Sequence, residues 1–170
     1  MKIVEIEVDQ YRWTELRCGC GVSAAHVAAE LRQLVASTED NEFDIEKLDG
    51  HILIPSVLLE PSVPTVSVIL AALSDDISPS ARESCLQLLL LLISGEGQAT
   101  ELELSGRDLV AECISAARDG LWLLYSEVIS GHSIDAASNA FEVLSLIEEN
   151  AERLDRVRVA ASEYLRWDLR

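Results

Sequence analysis

The stretch from Val63 to Leu92 reads twice in this chain. Laid 55 residues downstream without a gap, Ile69, Leu73, Ser78, Cys85, Leu86, Leu89 and Leu92 fall on Leu124, Val128, Ser133, Ala140, Phe141, Leu144 and Ile147. Each copy is an apolar helical stretch, a polar break ending in serine, and a second apolar helical stretch. A unit of this kind cannot bury its apolar face alone, so repeated units stack and share a core. The pattern predicts an all-α fold, a short right-handed α-solenoid of antiparallel helix pairs, with an extended segment at the N-terminus. Solenoids more often present surfaces to partners than house chemistry.

At 170 residues the chain has the length of one domain with a continuous core, and residues 1–170 are read as a single domain. Apolar residues make up 49% and charged residues 25%, the profile of a packed protein rather than a disordered one. The longest aliphatic run, Leu88 to Ile93, falls far short of the ~20 residues of a membrane span. The N-terminus sets Glu5, Glu7 and Asp9 among apolar residues, where a secretory leader is basic and then apolar. The expected compartment is the cytosol.

Thirty acidic residues against thirteen basic ones give a formal net charge of −17, and Lys2 and Lys47 are the only lysines. Nucleic-acid binding depends on Lys and Arg neutralising phosphates, so this balance argues against it, and against an anionic membrane surface. A basic protein partner is favoured. The same acid excess also serves solubility alone.

An enzyme needs a nucleophile, a base and a group that stabilises charge. His26, His51 and His132 are widely separated, with no His-Glu-x-x-His, Gly-x-Ser-x-Gly or phosphate-cradling glycine loop around them. His26 reads as a helix-surface or core residue and His132 as a turn residue. Cys18 and Cys20 lie in Arg17-Cys18-Gly19-Cys20-Gly21, a Cys-x-Cys without a second ligand pair nearby, and read as thiols of a glycine turn. Cys85 and Cys113 occupy apolar helical positions and read as buried free thiols. Adjacent acids such as Asp75-Asp76 and Glu148-Glu149 read as solvated helix ends rather than cation ligands. The expectation is a protein without catalytic activity, cofactor or metal.

Along the chain, Val4, Ile6 and Val8 alternate with acids over residues 1–9, which predicts an extended strand or arm. Ser23 suits the cap of a helix carrying Val27, Leu31, Leu34 and Val35. Residues 38–49 read as a loop or short exposed helix. From His51 to Leu59 an apolar run is stopped by Pro61. Pro64 suits the first turn of the next helix, and Ser78 before Pro79 is a strong restart signal for the one after it. Ser105-Gly106-Arg107-Asp108 has the form of a capping box, Gly120 interrupts or kinks the helix that follows, and Gly131 ends it. Ser133 and Asn150 cap the last two helices. Trp122 and Tyr125 share a helix face and read as core, while Trp13 and Trp167 read as covers for the open ends of the stack.

The segment Leu70-Ala71-Ala72-Leu73-Ser74-Asp75-Asp76, followed by Ser80-Ala81-Arg82-Glu83-Ser84-Cys85-Leu86, resembles HEAT-type repeats. There an apolar helix meets an acidic turn and a second helix with an early arginine, here Arg82. The second copy departs from the pattern, with Ala137 at the arginine and Gly131 in place of the acid. The order of Trp13-Thr14-Glu15-Leu16, Gly21 to Ala25, His51 in a second helix, Pro64 and Arg118-Asp119-Gly120-Leu121 is similar to a group of small bacterial HEAT-like proteins. Some members of that group serve as immunity proteins encoded beside toxins. The resemblance implies an immunity or antitoxin protein that occludes a toxin domain. A scaffold or adaptor of the same fold without a toxin is the alternative, and a helical-repeat DNA glycosylase is disfavoured by the charge. The acids expected to meet a basic toxin are Glu39, Asp40, Glu42, Asp44 and Glu46, with Asp75, Asp76, Glu148 and Glu149 as a second set.

Overall fold

The computed structural model describes residues 2–98 and 105–170. Among them are eight α-helices: α1 (Ile3–Gln10), α2 (Ala25–Val35), α3 (Ser62–Ser74), α4 (Pro79–Ile93), α5 (Leu109–Asp119), α6 (Leu121–Ser130), α7 (Ile134–Ile147) and α8 (Ala151–Ala160). Three two-residue strands, β1 (Leu53–Ile54), β2 (Val57–Leu58) and β3 (Gly97–Gln98), form a small sheet. Strand β2 pairs antiparallel with β1, Leu53 opposite Leu58, and parallel with β3, Val57 opposite Gly97. No helix among the described residues is long and apolar enough to cross a membrane.

Both second helices of the repeat start on the expected serines. The Ala81 amide donates to Ser78 Oγ at 3.0 Å and the Ala136 amide to Ser133 Oγ at 3.0 Å. Each hydroxyl satisfies an amide that the first helical turn leaves unpaired. Offset positions share their burial: Leu89 and Leu144 are both 0% exposed, and Ile69, Leu124, Leu73, Val128, Cys85 and Ala140 are buried with them. Helix α3 packs on α4 and α6 on α7, while α4 lies against α7 and α3 against α5. Gly120 separates α5 from α6, and a Cβ there would stand 2.4 Å from Leu70 Cδ2, so glycine lets the junction approach α3.

Arg82 joins the copies. Its guanidinium pairs with Glu127 of α6 and donates to the Leu73 carbonyl at 3.1 Å and the Asp75 carbonyl at 3.3 Å. Arg82 is 11% exposed and Glu127 5%. Burial raises the Glu127 carboxyl above its usual range against the opposing pull of Arg82.

Four local expectations are corrected. The N-terminal segment is helical, not extended. Alternation over Val4, Ile6 and Val8 also places Val4 and Val8 one helical turn apart, and these two are buried while Ile6 is exposed. Asp75 caps that helix from the turn before α4, accepting from the Ile3 amide at 3.2 Å and the Val4 amide at 2.9 Å. The run from His51 to Leu59 is a hairpin, because Pro55 supplies no amide hydrogen and biases Ile54 toward extended backbone. The cap of α5 is Asp108, not Ser105, and α2 begins at Ala25 with Ala24, not Ser23, at its cap position and no side-chain cap.

The tryptophans divide differently from expectation as well. Trp13 is buried, its indole donating to the Val8 carbonyl at 2.8 Å. Trp122 is 69% exposed and Trp167 84%. Arg153 lies over the Trp122 ring, 5.1 Å from its centroid, so a cation rather than the core covers part of that face.

Candidate functional site

Residues 38–48 leave α2 through a tight turn, where Thr38 and Asn41 exchange backbone hydrogen bonds, and re-enter through a short 3₁₀ turn over Ile45–Leu48. Phe43 and Leu48 are buried and anchor the segment, which turns its acids outward. Together with α4 and the turn before α7 it encloses an open groove of about 670 Å³. Glu39, Glu42, Asp44 and Glu46 line one side, and Glu83, Gln87, His132 and Ser133 the other. Ser133 Oγ donates to Glu83 Oε2 at 3.1 Å, which fixes that carboxylate on the groove wall. Asp40 is exposed on the adjoining turn.

The remaining predicted acids lie elsewhere. Asp75 caps α1, as described, and exposed Asp76 offers its carbonyl to Lys2 at 3.4 Å. Glu148 is only 3% exposed and is held by Arg153 at 2.8 Å and the Asn150 amide at 2.7 Å. Arg153, opposed by burial and aided by the Tyr125 hydroxyl, lowers the Glu148 carboxyl to about 2. Burial and the same hydrogen bond push Tyr125 up to about 12. Glu149 is exposed and pairs with Arg118 at 2.9 Å. The groove therefore gathers four of the nine predicted acids, while Asp75 and Glu148 serve the fold.

A second constellation is built from residues 18–26 and His51. Cys18 and Cys20 sit on a knuckle closed by the Cys18 amide to the Val22 carbonyl at 3.1 Å and the Gly21 amide to the Cys18 carbonyl at 3.0 Å. Gly21 has φ +84°, a left-handed conformation that glycine adopts freely. A Cβ on Gly19 would stand 2.1 Å from the Gly50 carbonyl oxygen, so glycine allows the knuckle to meet the turn that carries His51. His26 comes from the first turn of α2.

These three segments bring four ligand atoms together. Cys18 Sγ lies 3.3 Å from Cys20 Sγ, 3.4 Å from His26 Nε2 and 3.1 Å from His51 Nδ1. His26 Nε2 is 3.0 Å from His51 Nδ1 and 4.0 Å from Cys20 Sγ. All four lie within 4.8 Å of one another. Cys18 is buried, the histidines are half-buried and Cys20 is at the surface. Burial raises the Cys18 thiol, and the Val22 backbone, followed by Cys18, lowers that of Cys20. Cys85 and Cys113 are buried free thiols pushed up to about 12 by burial.

No pair among the two thiols and two histidines has an established ligand spacing, so no motif in the sequence alone joins them. The usable signal was the glycine beside each knuckle: Gly19, Gly21 and Gly50. No protein-family model, curated protein or solved structure matches the chain.

Proposed function

We propose that the protein is a partner-binding module, a short right-handed solenoid of stacked helix pairs whose acidic groove receives a basic element of a bacterial toxin and neutralises it. The observation that carries this reading is the convergence of Glu39, Glu42, Asp44 and Glu46 with Glu83 on one groove. A Lys- or Arg-rich segment finds complementary charge there on both walls, which speeds encounter and disfavours acidic competitors. Toxin neutralisation is the specific form suggested by the order of Trp13-Thr14-Glu15-Leu16, Gly21 to Ala25, Pro64 and Arg118-Asp119-Gly120-Leu121, which resembles small bacterial HEAT-like proteins that include immunity proteins.

The test uses the purified products of neighbouring toxin genes. Reversal of Asp40, Glu42 and Asp44 to lysine together is expected to slow association with the cognate toxin by roughly tenfold or more at low salt, with the difference shrinking at high ionic strength. Association unaffected by both the triple reversal and added salt rejects the groove as recognition surface. Absence of binding and of protection in cells expressing those toxins leaves the scaffold role.

A further inference from the structure

We propose that Cys18, Cys20, His26 and His51 form a structural zinc site that ties the N-terminal knuckle, α2 and the turn before β1 together. The inference rests on the cluster alone and is independent of what the groove binds.

The donor set selects the metal. Two thiolates and two imidazoles suit zinc, whereas calcium and magnesium require oxygen ligands. Geometry agrees. Zinc–sulfur bonds of ~2.3 Å and zinc–nitrogen bonds of ~2.0–2.1 Å at tetrahedral angles imply ligand-to-ligand edges of about 3.3–3.8 Å. Five of the six ligand separations, at 3.0–4.0 Å, straddle those edges, and all six lie within 4.8 Å. The rings of His26 and His51 cross at 76°, so their nitrogens converge edge-on rather than stack. Four protein ligands complete the tetrahedron and leave no position for water or substrate, which marks a structural site rather than a catalytic one.

The place in the fold explains the need. From residue 11 to residue 61, α2 is the one α-helix, and the rest is turns, short 3₁₀ segments and two-residue strands. The partners are 8, 25 and 33 residues apart in the chain. A metal bridge between them closes loops that hydrogen bonds such as Gly19 N–H to the His51 carbonyl at 3.5 Å hold only loosely. Loading is not a redox step: zinc accepts electron pairs from two neutral imidazoles and two thiolates. The Cys18 and Cys20 S–H bonds break, and both protons leave to solvent.

The test begins with the full chain, purified without chelator and assayed for metal by mass spectrometry. About one zinc per chain is expected. Cobalt added to the stripped protein should give strong visible bands of a tetrahedral ion and a near-ultraviolet thiolate-to-cobalt band. Cys20→Ser, at the exposed rim, and His51→Ala should each weaken zinc by on the order of tenfold or more, as losses around a metal site do. His132→Ala should leave affinity unchanged. Zinc held equally well by Cys20→Ser overturns the proposal. So does a chain that carries no zinc and gives only the pale spectrum of six-coordinate cobalt. The cobalt spectrum of the unaltered chain decides the matter even where a variant fails to fold.

Discussion

Near the start of their second helices the two repeat copies carry different side chains, Arg82 in α4 and Ala137 in α7. Arg82 reaches forward from the first copy to Glu127 in the second. At the offset position of Glu127 the first copy has Ala72, which is fully buried. The ion pair thus bridges the two copies once. By contrast, Leu89 and Leu144 serve the same apolar contact in both copies and are equally buried. Positions facing the common core repeat because the volume to be filled repeats; positions facing a neighbour diverge because the neighbours differ.

Breaking the bridge is expected to have the largest effect. Arg82→Ala strands the Glu127 carboxylate in a buried site and should cost about 3–5 kcal/mol, measured by denaturant unfolding. Replacing both partners with apolar residues of similar volume should recover most of that loss, since a buried pair contributes far less than its half-removal costs. Core truncation sharpens the likeness between copies. Leu89→Ala and Leu144→Ala should each cost about 2–5 kcal/mol. A loss near half a kcal/mol, the level of surface changes, at either position would show the copies to be structurally unequal.

The smallest expected effect concerns Glu148, which follows α7 and has the buried, apolar Ile93 at its offset position in the first copy. Its carboxyl is lowered from 4.5 to about 2, chiefly by Arg153. Stability from this group is present above the ordinary value of about 4.5 and is lost as pH falls toward about 2. Glu148→Gln should cost about 1–2 kcal/mol at neutral pH. It should also flatten the acid limb of the stability profile between those two values, read by thermal melts across pH.

The repeat was legible because its signals are local: Ser78-Pro79 and Ser133 specify caps, and apolar spacing specifies the buried faces. Helix α1 was not, since Val4 and Val8 satisfy a strand and a helix equally and the deciding cap, Asp75, is distant in sequence. The groove was half legible. Its acids stand together in residues 39–46, but Glu83 and His132 join them only through tertiary packing. The Cys/His cluster was hidden because its members arrive from three segments, each unremarkable alone.

The Asp75 cap on α1 sets an order of assembly. With eight residues, α1 is well below the ~12–15 that persist as a helix alone in water. Its first amides are satisfied by a carboxylate 71 and 72 residues away, so that partner becomes available only once the turn between α3 and α4 has been built. Helix α1 therefore behaves as a passenger: it docks after the central pair, and each opening of that turn releases it. Its backbone amides then exchange with solvent before those of α4, while Val4 and Val8 leave the face of α3 uncovered.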